Sequence, residues 1–276
     1  MFRQPKGEGT WLLSFRALLQ LLFSPMSPPR KKPQRPNPSR RRPPYRDTKK
    51  TPRPRRQATE STSPISRSFD LPREWVSELR DTTRPGQADR ASALVAKALQ
   101  AFLEGDYRRA ASLAADAKVF AQRSPRIREL LGLALYHSGD FKEALRELQA
   151  FKRMSGSLEQ NHLIADSYRA VGRPEKAIEV TGEVHPKDVS EEVWTELLIV
   201  AASTLADGGD IERALSYISR GEFQPKEVQP HHLRLWYVRA ELLEKAGKQA
   251  QAKALWERIA REEPDFFDVS ERLAEI

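Results

Sequence analysis

Residues 124–151 read SPRIRELLGLALYHSGDFKEALRELQAF, and the spacing within them decides the fold. Ile127, Leu130, Leu131, Ala134 and Leu135 recur at intervals of three and four, which is one face of a helix. Gly139 interrupts the pattern; Ala144, Leu145, Leu148 and Phe151 resume it. Ser124 before Pro125 has the residue types of a helix start, and Gly139 suits the left-handed position that closes a helix. Asp140 with Glu143 resembles a capping box for the helix that follows. The stretch therefore encodes two helices joined by a tight turn.

The same phrase recurs along the chain. A Gly followed five residues later by Ala occurs at Gly105/Ala110, Gly139/Ala144, Gly172/Ala177, Gly209/Ala214 and Gly247/Ala252, with successive Gly spacings of 34, 33, 37 and 38 residues. A period in this range signals stacked supersecondary units. A small residue at the recurring Ala lets two antiparallel helix backbones approach, where a larger side chain would hold them apart. Pro174 suits a first helical turn, and Ser157 with Gln160, and Ser190 before Glu191 and Glu192, read as further helix starts. The longer spacings flank the fourth unit and leave room for extra turns or loops near 182–191 and 219–231.

On these residues the chain resembles the tetratricopeptide repeat family, whose unit of about 34 residues follows W-x2-L-G-x2-Y, then A-x3-F, then P. The last unit carries Trp236, Ala240, Leu243, Gly247, Ala252, Trp256 and Pro264, with Arg239 in place of the family's Leu. The second carries Leu131-Gly132, Leu135, Gly139, Ala144, Leu148 and Phe151; the third keeps Ile164-Ala165, Tyr168, Gly172 and Ala177 but has Thr181 at a usually apolar position. The first (Leu94, Ala98, Gly105, Ala110, Ala117) and fourth (Leu198, Ala202, Leu205, Gly209, Ala214, Ile218) are degenerate. The resemblance implies an all-α, tetratricopeptide-like α-solenoid of about five helix pairs over 69–276. The Arg-rich phrasing of Arg169 to Ala177 is similar to that of tetratricopeptide proteins of high-GC bacteria. A helix over 71–82, with Leu71, Trp75 and Leu79 on one face, would cap the first unit. Asp268 to Ile276, with Asp268 and Glu271 as a capping pair, would close the last, since a solenoid's terminal units each have an uncovered apolar face.

Charge divides the chain differently. Residues 1–60 hold 16 Lys and Arg against Glu8, Asp47 and Glu60, whereas residues 61–276 hold 31 against 35 acidic residues. The cations concentrate in 28–56 as Arg30, Lys31, Lys32, Arg35, Arg40, Arg41, Arg42, Arg46, Lys49, Lys50, Arg53, Arg55 and Arg56, among many Pro. Such a segment buries too little apolar surface to offset the entropy of ordering, so residues 1–68 are expected to form a disordered basic Pro/Arg-rich arm. The arm would meet RNA, DNA or an anionic surface with steep salt dependence, and Tyr45 alone offers stacking. The apolar run 11–23 imitates an export signal, but Arg16 interrupts it and no small-x-small cleavage site follows. As a helix, 11–23 with Arg16 and Gln20 on one side is also compatible with lying at a membrane interface; our expectation prefers a start at Met26, which would leave 1–25 untranslated, and a cytoplasmic protein.

Chemistry is sparse. With no Cys there is no disulfide framework, thiolate metal site or cysteine nucleophile. The chain has no phosphate-binding Gly-rich loop, nucleophile elbow or HExxH. His231 and His232 are neighbours, and residues adjacent on a helix point about 100 degrees apart, which argues against joint chelation. Glu143, Glu147, Glu175, Glu179 and Glu212 fall on expected solvated faces. Neither a cofactor, a metal nor a small-molecule substrate is expected, and an enzyme using His137, His162 and Asp166 is the remote alternative.

Binding is the remaining route to function. The resemblance implies that first helices line a concave side and that their exposed residues hold a protein or peptide. Mapped by phase, these are Arg126, Glu129, Tyr136 and His137 in the second unit, and His162, Asp166 and Arg169 in the third. The fourth unit adds Glu196 and Ser203, and the fifth Arg234, Tyr237 and Glu241. This mixed-sign surface suits a polar peptide. The pairs Val95/Leu99, Glu129/Leu133, His162/Asp166, Ile199/Ser203 and Tyr237/Glu241 lack the Lys and Asn of the family's carboxylate clamp. The expected function is a non-catalytic interaction scaffold tethered by its basic arm. The alternative is a nucleic-acid- or ribosome-associated accessory protein whose arm makes the main contact.

Overall fold

The computed structural model describes residues 71–275. The expectations for residues 1–68, namely the arm with Arg30 to Arg56 and the start at Met26, lie outside the described residues. Those described form helices α1 (Arg73–Thr82), α2 (Ala88–Leu103), α3 (Tyr107–Phe120), α4 (Pro125–His137), α5 (Phe141–Ser155), α6 (Asn161–Ala170), α7 (Pro174–Gly182), α8 (Glu191–Asp207), α9 (Ile211–Ile218), α10 (Pro230–Lys245), α11 (Gln249–Glu262) and α12 (Val269–Glu275). The five pairs α2/α3, α4/α5, α6/α7, α8/α9 and α10/α11 are the expected units, and α1 and α12 flank them. Among the described residues no helix is long and apolar enough to cross a membrane.

Turn chemistry makes each pair. Gly105, Gly139, Gly172, Gly209 and Gly247 have φ between 73° and 84°, the left-handed region where a Cβ is strained. Asp106, Asp140 and Asp210 follow three of them and accept a hydrogen bond from the backbone N–H three residues on, starting the second helix. The five phased alanines are fully buried at the helix–helix contact. Gly132 marks the closest approach, since a Cβ there would lie 2.6 Å from Leu148.

Packing then joins pair to pair. Leu148, Ile164, Leu197, Leu198, Leu235, Trp236 and Trp256 are almost fully buried. Each such aliphatic side chain contributes about 1.5–3 kcal/mol by leaving water. Successive first helices meet directly in the later units, where α6 packs on α8 and α8 on α10. A one-turn 3-10 helix (Pro186–Asp188) and a loop over 219–229 fill the two longer spacings.

Local expectations are corrected in four places. Helix α6 starts at Asn161, not near Ser157, because Ser157 caps a turn at Glu159 and Gln160 makes no side-chain cap. The Asp140 box is one-sided, Glu143 pairing with Arg146 instead. Glu147 is buried between Lys118 and Arg128 rather than solvated. Burial acts to raise its pKa, but the two cations outweigh it and hold the carboxyl below its usual range. Asp268 serves Tyr237 and Arg272 rather than capping with Glu271.

Candidate partner-binding face

The first helices α4, α6, α8 and α10, with α1 and α12 at the ends, are tied by polar bridges that run along one face. At the start, Glu78 of α1 pairs with Arg126 at 2.8 Å and accepts from Ser124 Oγ at 2.6 Å, so α1 reaches the second unit instead of capping the first alone. Trp75 lies beneath the Arg126 guanidinium at 5.3 Å. Between α4 and α6, Tyr136 donates to Asp166 at 2.6 Å, and Gln160 donates to Glu129 at 2.9 Å. Arg169 joins α6 to α8 by reaching Asp166 at 2.9 Å and Asp207 at 3.0 Å. Between α8 and α10, Arg234 donates to Glu196 through Nε at 2.7 Å and through a second nitrogen. Tyr237 donates to Asp268 at 2.6 Å, and Arg272 of α12 bridges Glu241, Glu244 and Asp268.

This corrects the picture of a simple solvated groove. Tyr136, His162, Asp166 and Tyr237 are buried, and Arg126, Glu129, Glu196 and Arg234 are half-buried. His137 is half-buried, stacked on Tyr107 at 4.8 Å between rings. Accessibility survives along the edge formed by the C-terminal ends of α6, α8 and α10. There the side chain of Asp207 is 64% exposed, Arg169 35% and Glu241 33%, with Ser203 half-buried one turn before Asp207. The acid–base trio is dispersed in role, for Asp166 is held by Tyr136 and Arg169 while His137 stacks on Tyr107.

Burial sets the electrostatics of the face. Burial pushes Glu129 up, aided by Glu78 and Glu159, against the pull of Gln160 and Arg126. Burial also raises Glu196, with Asp166 adding to it and Arg234 opposing. Glu241 rises for the same reason, opposed by Arg272 and Lys245. Burial brings His162 down to about 3, so its imidazole is neutral at pH 7. Desolvation and the Asp166 charge hold the Tyr136 phenol far above its ordinary value.

The sequence reading missed Glu78, Asp207, Glu244, Asp268 and Arg272. A signal was present, because Asp207 lies four residues after Ser203 and Glu244 three after Glu241, both on the mapped helix face. It also misjudged the adjacent histidines. Their ring centroids are 4.1 Å apart, and one ligand atom from each of Glu191, His231 and His232 lies within 4.8 Å of the others. The first turn of α10 brings them together. Gln229 N–H donates to His232 Nδ1, so Nε2 carries the proton that faces Glu191 at 3.0 Å. A metal at His232 would have to displace that proton and break the helix cap, and these residues do not fit one as they stand.

The sequence matches no protein-family model, and no curated protein aligns with it. Among solved structures the chain is similar to the apo form of the quorum sensor NprR from B. thuringiensis. The TM-score is 0.58 at 14% identity, over 72% of this chain and 61% of that one. This is a tetratricopeptide-type solenoid. The chain spans about three fifths of NprR's length. It is also similar to YrrB, a TPR protein with an unusual peptide-binding site, with TM-score 0.46 and 15% identity over 67% of this chain and 92% of that one. Within the tetratricopeptide solenoid the bridged face belongs to the first helices, where the resemblance placed partner contacts.

Proposed function

We propose that the protein is a non-catalytic scaffold holding a partner polypeptide against the first-helix face, with the basic arm of residues 28–56 tethering it to an anionic surface. The supporting observation is the accessible polar edge of Arg169, Ser203, Asp207 and Glu241, set on helices that the buried bridges hold in register. A rigid, polar, partly exposed edge gives a partner hydrogen bonds without first having to order the receptor. The similarity to a quorum sensor is in keeping with a receptor role.

The test is site-specific photo-crosslinking of the full chain in native lysate, with the crosslinker at Ser203 or at Lys253 on α11. A protein adduct at Ser203 that survives nuclease and is absent at Lys253 is expected. Adducts confined to the arm, or abolished by nuclease, would instead make the protein a nucleic-acid companion. Deleting 28–56 should leave the Ser203 adduct and remove salt-sensitive attachment to anionic surfaces.

A further inference from the structure

The bridged face carries more carboxylates than cations. Arg272 is met by three (Glu241, Glu244, Asp268), Arg169 by two (Asp166, Asp207), and Arg126 and Arg234 by one each (Glu78, Glu196). Glu129 is an eighth carboxylate, whose hydrogen-bond donor is the neutral amide of Gln160. Four arginines thus face eight carboxylates. Counting Lys245, which acts on Glu241, and Glu159, which acts on Glu129, leaves the excess at four negative charges. Part of that excess is unfavourably placed. Asp207 is the last residue of α8, and a carboxylate at a helix C-terminus adds to the negative end of the helix dipole. Glu244 stands one residue from the end of α10, so the same edge gathers further negative ends. At its most exposed point this charge is met by Arg169, a cation that Asp207 shares with Asp166.

We propose that the occupant of this face is an extended polypeptide segment bearing Lys or Arg side chains that meet Asp207, Glu241 and Glu244. The proposal deepens the scaffold reading and rests on it. Spacing narrows the segment further. Helices α8 and α10 pack directly, helices so packed lie about 8–10 Å apart, and an extended chain of the polyproline II type rises about 3.1 Å per residue with three residues per turn, so that side chains three apart point the same way. Cations three residues apart would therefore step from the carboxylates of one first helix to those of the next. The same excess charge repels polyanions and acidic peptides, so selectivity by sign is built into the edge. Burial and the Asp268 charge raise Glu241 against the pull of Arg272 and Lys245, and a bound cation beside it would lower it, so binding should strengthen as pH rises.

Fluorescence anisotropy of the full chain with three labelled dodecapeptides tests this. One has Arg at every third position in a Gly/Ala/Ser background; the others have Gln or Glu at those positions. The protein is used as wild type, as Asp207→Asn with Glu241→Gln, and as Glu257→Gln with Glu262→Gln. The last pair removes two exposed carboxylates from α11, outside the face. The expected result is that the Arg peptide binds wild type and the α11 variant alike, and binds the Asp207/Glu241 variant about tenfold or more weakly. Far-ultraviolet dichroism should be unchanged, as expected for these partly exposed sites. Equal weakening by both double variants would mean undirected charge attraction and would overturn the proposal. Binding of the Gln or Glu peptide in preference, lost on Ser203→Trp, would overturn the charge selectivity while leaving the scaffold reading intact. Failure of every peptide on wild type would also overturn it, and the Ser203 crosslink would then decide the scaffold reading separately.

Discussion

Tyr136 on α4 donates its phenolic hydrogen to Asp166 on α6 across 2.6 Å, with both side chains buried. The bond ties two consecutive first helices directly, and it anchors the carboxylate that Arg169 shares with Asp207. One buried phenol therefore positions groups on three successive first helices. Its aromatic edge packs on Phe141 at 5.5 Å between ring centres, so the ring and the hydroxyl act on different neighbours.

Tyr136→Phe separates these two roles. The ring contact stays, and Asp166 keeps Arg169 as its partner, while one hydrogen bond to a charged acceptor is lost. Such bonds contribute about 1.5–3 kcal/mol. Urea unfolding should show a loss in that range with an unchanged m-value. A loss below about 0.5 kcal/mol would show that water replaces the bond.

Gly132 offers a test of packing without charge. A methyl there gains about 1 kcal/mol of helix propensity, but its Cβ would sit 2.6 Å from Leu148 Cδ2 and 3.2 Å from Leu148 backbone nitrogen. The backbone contact cannot be relieved by a rotamer change. Overpacking of this kind costs about 1–3 kcal/mol, so Gly132→Ala should be net destabilising by thermal melting. A neutral or raised Tm would mean that α4 and α5 separate more easily than their close approach suggests.

Periodicity made the helix pairs legible because each pair repeats one local instruction, a left-handed Gly and an Ala where backbones meet, with an Asp cap between them in three of the five. That instruction is written within about ten residues and survives even in the degenerate fourth unit, where Gly209, Asp210 and Ala214 keep it. The bridges were not legible in the same way. Tyr136 to Asp166 spans 30 positions and Arg169 to Asp207 spans 38, and whether such residues meet depends on how far each unit rotates on the last. Phase groups these residues on the first helices, but phase cannot say whether a face looks outward or at its neighbour. His231 and His232 erred in the opposite direction, since the first turn of α10 lets adjacent rings converge that an ideal helix would splay.

His162 gives the fold a pH response. Its folded value of about 3 lies below the unfolded value of about 6.5, so the unfolded chain binds more protons between them. The stabilisation from keeping this ring neutral is complete above about pH 6.5 and is lost progressively as pH falls towards 3. Between pH 7 and 5.5 the loss amounts to about 1 kcal/mol. Comparing urea midpoints of wild type and His162→Leu over that range should show the wild type losing more stability by this amount. Parallel curves would mean that the ring is solvated in the folded state.

The Glu196–Arg234 pair distinguishes bridging from stabilising. Its side chains are only 15% and 16% exposed, and burial already pushes the Glu196 carboxyl up despite its partner. Arg234→Met removes the one cation that holds the charge and leaves a lone carboxylate inside the face. Breaking such a pair from one side costs about 3–5 kcal/mol, whereas replacing both partners with apolar groups is often close to neutral. Arg234→Met with Glu196→Leu should therefore recover most of the stability lost by the single substitution. The deficit of the single variant should also shrink on mild acidification, because a carboxyl pushed up further by losing its cation takes a proton at higher pH than it does unfolded. A double variant as unstable as the single would mean that the pair fixes the angle between α8 and α10, and that its role is one of geometry rather than charge.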